Sequence, residues 1–179
     1  MKRINLHILA DKTPKADKVR KFLAKSHTNY SARACDYIVV VGGDGFMLDI
    51  LKKYQKFKKP FYGINTGKRG FLLNKYSNGN LKSKINQASK IYLFPLEAKI
   101  KKHNITKKII AINEVSVFRQ SKQTTQLQVN LNKKIKIKEL VGDGILVATP
   151  AGSTAYNLSA HGPILNLESQ YLAVTPISP

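Results

Sequence analysis

The run Tyr37-Ile-Val-Val-Val41 restricts the possible folds more than any other stretch of the chain. Five consecutive apolar, mostly β-branched residues without polar alternation describe a strand covered on both faces, as in the interior of a parallel sheet. The run ends in Gly42-Gly43-Asp44-Gly45. Beyond it Phe46, Leu48, Ile50, Leu51 and Tyr54 recur at helical spacing until a lysine-rich segment closes at Pro60. Strand, glycine turn and helix make one step of an α/β fold. In open α/β sheets ligands gather at the carboxyl ends of strands, where glycines let the backbone approach a phosphate. Asp44 stands where an acid can accept a proton from an attacking hydroxyl or help place a metal-bound phosphate. A tight turn with Asp as turn former accounts for the same four residues without a function.

The neighbouring segments repeat the alternation. Arg3–Ala10 reads as a strand with Ile4, Leu6 and Ile8 on one face, and Thr13-Pro14 caps a helix expected to bury Val19, Phe22 and Leu23. Phe61–Ile64 is a further strand, followed by the turn-rich loop Asn65-Thr66-Gly67-Lys68-Arg69-Gly70. Burial is expected to resume at Phe71-Leu72-Leu73, with a helix over Asn80–Ser89. From Ile91 the character changes. Ile91–Lys101, Lys108–Arg119, Thr125–Asn132 and Lys134–Val141 alternate in the manner of strands, so an α/β domain is expected over 1–92 and a β-rich one over 93–179.

A chain of 179 residues can bury a substantial core. Its apolar runs are short, the N-terminus lacks a signal-peptide pattern, and a lone Cys35 excludes an internal disulfide, so a cytoplasmic protein without a membrane span is expected. Lys and Arg number 31 against 10 acids, a net charge of +21. The basic residues lie in small groups between Lys2 and Lys138 without arginine-rich or aromatic-interleaved motifs. A lysine-rich solvent face explains them as well as nucleic acid does, though a cationic body would attract phosphate-rich substrates. The four histidines show no ligand spacing, and a structural zinc site is not expected.

Two other segments carry polar groups in unusual places. Asn113-Glu114 interrupts the apolar runs Ile109–Ile112 and Val115–Val117; a ribose diol would satisfy these side chains, and so would water at a bulge or strand end. The stretch Leu140–Pro163, LVGDGILVATPAGSTAYNLSAHGP, places a turn at Gly142–Gly144 before the strand Ile145–Thr149. A small-residue break then leads to a helix start at which Ser153 or Thr154 is expected to cap. Free N–H groups and hydroxyls at such a start suit a nucleotide, and an ordinary N-cap explains them equally. Neither the Walker loop nor the dinucleotide fingerprint is present, because Leu48 occupies the position of the third glycine.

GGDG at Gly42–Gly45, NTGKRGFL at Asn65–Leu72, NE at Asn113-Glu114 and DGILVATPAGSTAYNLSAHGPI at Asp143–Ile164, in this order, resemble the NAD kinases over nearly the whole chain. The GGDG element is shared with diacylglycerol, sphingosine and phosphofructo-kinases; the TPxGSTAY segment with NE and NTG is particular to the NAD kinase branch. The resemblance implies transfer of the γ-phosphoryl of ATP, carried with Mg or another divalent cation, to the 2′-hydroxyl of NAD's adenosine ribose, with NAD in a cleft between the domains. It implies Asp44 as the catalytic carboxylate, Gly45 along the phosphates, and Phe71 in the substrate site. Asn113 and Glu114 would contact the ribose and adenine side, and Asp143 the other end of NAD. Thr154, Ala155, Tyr156, Asn157, Leu158 and Ser159 would form the adenine pocket.

Departures from the family pattern are Val141 where an arginine is common, Arg69 where an apolar residue is usual, and His161 where a second glycine is usual. Related chains continue beyond the segment matching AVTPISP, so the β-rich part is expected to be incomplete and prone to self-association as a homo-oligomer. Polyphosphate is an alternative donor. A catalytically inactive NAD-binding remnant is the rival reading, and a basic nucleic-acid-binding protein a further one.

Overall fold

Ile38, Val39, Val40 and Val41 have no solvent exposure in the computed structural model, which describes residues 4–68 and 70–179. They form β2 (Tyr37–Gly42), flanked by β1 (Leu6–Ala10) and β3 (Phe61–Asn65), with the short β4 (Asn74–Lys75) beside β3. All three pairings are parallel, with Leu6 opposite Tyr37 and Ile38 opposite Phe61. Alternate side chains of β2 leave the sheet on opposite faces. Val39 and Val41 join Leu6, Ile8 and Ile64 beneath α1 (Pro14–Ala24) and α3 (Leu81–Gln87); Ile38 and Val40 meet Met47 and Ile50 of α2 (Asp44–Tyr54) on the other face. Both faces being covered is why the run carries no polar residue.

The helices start where side-chain acceptors satisfy their free N–H groups. Thr13 Oγ1 accepts from Ala16, and Asn80 Oδ1 accepts from Lys82 and Ser83. In α1 the buried residues are Ala16, Val19 and Leu23, one stripe at i, i+3 and i+7. Phe22 falls beside that stripe and is 55% exposed, contrary to the expectation from sequence. Phe71 is also exposed, whereas Leu72 and Leu73 pack against the α2 side of the sheet. Arg3 and Arg69 lie outside the described residues.

Residues 1–89 form one unit and 90–179 a second. In the second, β7 (Glu114–Phe118), β10 (Gly144–Ala148) and β11 (Ala173–Ile177) make an antiparallel sheet with β10 in the middle, over a small core of Leu146, Ala148, Ala173 and Ile177. Two hairpins complete the described strands. β5 (Leu96–Lys102) pairs with β6 (Ile105–Ala111), and β8 (Thr125–Leu131) pairs with β9 (Lys134–Gly142). Asn132 and Lys133 join the latter pair with φ of 50° and 64°, the left-handed geometry that a two-residue hairpin loop requires. The expected strand Lys108–Arg119 is divided at Ile112-Asn113, because β6 pairs with β5 and β7 with β10. Ile91–Phe94 precedes β5 rather than belonging to it. No helix among the described residues is long and apolar enough to cross a membrane.

Candidate functional site

Asp44 is the first residue of α2, immediately after the inner strand β2. A Cβ at Gly42 would meet Phe46 Cδ1 at 2.8 Å, so any larger residue there would displace the Phe46 ring. Gly43 and Gly45 differ: a Cβ at either would meet nothing within 4 Å. Packing therefore does not require glycine at these two places, and the backbone around Asp44 is open to an approaching group. The Asp44 carboxylate accepts two backbone N–H groups, from Phe71 at 2.8 Å and Leu72 at 3.1 Å. The intervening loop is also tied by Thr66 N–H to Gly42 O at 2.8 Å and by Gly67 N–H to Asn65 Oδ1 at 2.8 Å. Gly70 lies against the Asn65 side chain, where a Cβ would come within 2.8 Å of Nδ2. The segments GGDG and NTG, 20 residues and more apart in sequence, thus share one cradle around Asp44 and Gly45, with Phe71 at its edge.

In the second unit Asn113 and Glu114 stand where the chain crosses from one sheet to another. Ile112 is buried, and the Asn113 carbonyl accepts the Thr149 N–H at 2.8 Å while Thr149 Oγ1 donates to Ile112 O at 2.5 Å. Gly152 lies against the Asn113 backbone so closely that a Cβ would come within 2.2 Å of its carbonyl oxygen. These contacts fix the backbone and leave the side chains unused. Asn113 Oδ1 and Glu114 Oε2 are buried with no hydrogen-bond partner, and burial pushes the Glu114 carboxyl above its ordinary range. Buried polar atoms are rarely left unpaired, so this pair is the strongest sign of a ligand in the second unit.

The segment after β10 is not the helix start expected from sequence. Its only helix, α4 (Tyr156–Ser159), is a single turn capped by no side chain. The N–H groups of Gly152, Ser153 and Ala155 are taken by the carbonyls of Thr149, Pro150 and Gly152, so they are not free for an anion. Ser153 is wholly buried; its hydroxyl donates to Pro150 O at 2.7 Å and accepts Leu165 N–H at 3.0 Å. Asn157 is also wholly buried. Its amide donates to Ser153 O and Pro163 O, and its Oδ1 accepts the Thr175 hydroxyl at 2.7 Å. Thr154 and Ala155 are partly exposed, whereas Tyr156, Leu158 and Ser159 are exposed and available. His161 adopts φ of 61°, in the left-handed region that favours glycine, with its side chain in solvent. A cavity of about 300 Å³ lies beside this segment, lined by Phe94, Ile112, Thr149, Pro150 and Tyr171 among others, but by none of the expected contact residues.

Asp143 precedes β10, and Glu114 pairs with Ala148 at the strand's other end. Five residues of strand, about 16 Å, separate Asp143 from that end. Asp143 is joined instead to Arg119, whose Nε donates to its Oδ1; this arginine holds the carboxyl below its usual range, against the opposing effect of burial. Sequence reasoning passed over Arg119. A signal existed, since Arg supplies only five of the 31 basic residues and this one directly follows a strand. Among the described residues no three His, Cys, Asp or Glu side chains gather as a metal-binding cluster; a divalent ion carried by a nucleotide belongs to the substrate.

Comparison with known proteins identifies the family. The ATP-NAD kinase N-terminal domain matches residues 4–92 and the ATP-NAD kinase C-terminal domain matches 112–179. The NAD kinase of Caulobacter vibrioides is 45% identical over 92% of this chain and 64% of its own length. That of Rhizobium meliloti is 46% identical over 98% and 68%, and that of Zymomonas mobilis 44% over 100% and 70%. The chain thus spans about two thirds of the length of these curated relatives. An NAD kinase from Archaeoglobus fulgidus in complex with ATP superposes with a TM-score of 0.71 at 26% identity, covering 98% of this chain and 73% of that one. Yeast NADH kinase complexed with NADH superposes at 0.72 with 22% identity over 99% and 67%, a likeness of fold. With both domain models matched in order and identities above 40% to the bacterial enzymes, the chain belongs to the NAD kinase family.

Proposed function

We propose that the chain acts as an NAD kinase, transferring the γ-phosphoryl of ATP to the 2′-hydroxyl of NAD's adenosine ribose to give NADP. The observation that carries this reading is the placement of Asp44 between Gly43 and Gly45, whose side-chain space is empty. A carboxylate has about four acceptor sites, so after taking the N–H groups of Phe71 and Leu72 Asp44 retains capacity for a substrate hydroxyl. It would align that hydroxyl and take its proton, while the exposed backbone at Gly45 accommodates the phosphates. The divalent ion, Mg or a similar cation, would come with ATP and neutralise charge on the transferring group.

Recognition of NAD would fall to the second unit. Asn113 and Glu114 have unpaired acceptors for ribose hydroxyls, and Tyr156 offers an exposed ring for the adenine. Thr154, Ala155, Leu158 and Ser159 would line that pocket, with Asp143 at the far end of NAD. Asn157 would hold the segment rather than the ligand, since its amide is committed to Ser153, Pro163 and Thr175. A homo-oligomer in the cytoplasm completes the reading; the exposed Tyr92, Phe94 and Tyr171 support self-association.

The test is incubation of the purified chain with NAD, ATP and Mg, with NADP read by an NADP-specific dehydrogenase. NADP formation is expected. NAD binding in calorimetric titration without turnover would establish an inactive NAD-binding protein instead, and the absence of both would reject the site. Replacing ATP by polyphosphate in the same assay determines the donor.

A further inference from the structure

We propose that Arg119 is a positioning residue that fixes the Asp143 carboxylate for NAD binding, an inference that rests on Asp143 being an NAD contact. The backbone here is already held without any side chain. Arg119 N–H donates to Asp143 O at 2.8 Å and Asp143 N–H to Ile177 O at 2.9 Å. The next residue, Gly144, lies so close to β7 that a Cβ would come within 2.0 Å of Val117 O. What remains free at Asp143 is the rotation of its side chain, and the Arg119 guanidinium removes it by donating Nε–H to Oδ1.

Arg119 is itself preorganised. A terminal guanidinium N–H donates to Ser121 O, and the guanidinium carbon lies 5.9 Å from the centre of the Phe118 ring. One nitrogen of the fork is thus assigned to the carboxylate and another to the following turn, a geometry that lysine cannot reproduce. The two side chains are 29% and 26% exposed, so the thermal midpoints of the variants separate what the pair contributes to folding from what it contributes to NAD binding. Ser178 also bonds this carboxyl; a carboxylate has about four acceptor sites, so it retains capacity for hydroxyl or amide N–H donors of the dinucleotide.

The test is NAD affinity, by calorimetric titration, for the full chain and for Arg119→Ala, Asp143→Asn, the double variant and Arg119→Lys. Circular dichroism and thermal midpoints verify folding. Arg119→Ala is expected to weaken NAD about tenfold, the scale of losing one charged hydrogen bond. The double variant should bind no worse than Asp143→Asn alone, and Arg119→Lys should bind NAD better than Arg119→Ala but less tightly than the parent. Unchanged affinity in Arg119→Ala beside a weakened Asp143→Asn would overturn the role of Arg119 and leave Asp143 as a contact. Unchanged affinity in both would remove Asp143 from the site and the proposal with it. Should Arg119→Ala fail to fold, Arg119→Lys binding NAD as the parent does would reject the proposal, and weakened binding would support it.

Discussion

The carboxylate of Asp44 accepts the backbone N–H of Phe71 at 2.8 Å, joining the start of α2 to a loop 27 residues further along the chain. Together with the Leu72 N–H, this bond determines both the direction of the carboxylate and the path of the loop. The Phe71 backbone is committed inward, and its ring is left 57% exposed beside the cradle. The first turn of α2 places the carboxylate where the helix dipole favours negative charge. The same helix start that orders Asp44 leaves Gly45 open.

Gly45→Ala separates folding from phosphate access. A methyl group there meets nothing within 4 Å, and alanine is favoured over glycine in a helix by about 0.5–1 kcal/mol. The expected outcome is a thermal midpoint higher by about 1–4 °C together with a raised KM for ATP. An unchanged KM for ATP in the stabilised variant would place the phosphates elsewhere.

Much of the first unit was legible in sequence because its signals are local. The unbroken apolar run of β2, the Thr13 cap and the glycine turn each act within a few residues. What was hidden depends on partners far along the chain. Phe22 has the apolar character of a core residue but misses the stripe of Ala16, Val19 and Leu23 by its angular position. Ser153 has the chemistry of a helix cap, and the fold spends it instead on Pro150 and Leu165. The Arg119–Asp143 pair spans 24 residues and depends on the register of β7 against β10, which periodicity alone does not reveal. Asn113 and Glu114 were visible as an interruption, whereas the burial of their unpaired oxygens is set by the packing of distant segments.

Asn157→Ala should destabilise the chain by about 2–4 kcal/mol, because it removes a wholly buried amide and leaves the Pro163 carbonyl and the Thr175 hydroxyl without their partner. Denaturant unfolding measures this directly. Weakened NAD binding with stability unchanged would instead make Asn157 a ligand contact.

Glu114 gives the fold a pH dependence of predictable sign. Its carboxyl is raised in the folded chain by burial, so the folded state holds the proton more firmly than the unfolded state, whose ordinary value is 4.5. The contribution to stability is fully present below that value and is lost as pH rises through the raised folded value. Glu114→Gln should flatten the fall in denaturant midpoint above about pH 4.5, and it should weaken NAD binding by replacing an acceptor oxygen with an amide donor. A variant with the parent's pH profile would show that Glu114 is solvated in the folded chain.

The measurement that bears most directly on the proposed chemistry is single-turnover NADP formation by Asp44→Asn beside the parent chain, with NAD affinity determined for both. Asn keeps the shape and one acceptor but places an amide where the carboxylate now accepts a backbone N–H, so one of the Phe71 and Leu72 bonds is lost. Removing a general base lowers the rate by about 10²–10⁴, nearer the lower figure where positioning of the hydroxyl dominates. The expected result is a rate reduced by at least about a hundredfold, with NAD affinity within about threefold of the parent. A folded Asp44→Asn chain that forms NADP at a near-normal rate would contradict the assignment of Asp44 and with it the proposed mechanism.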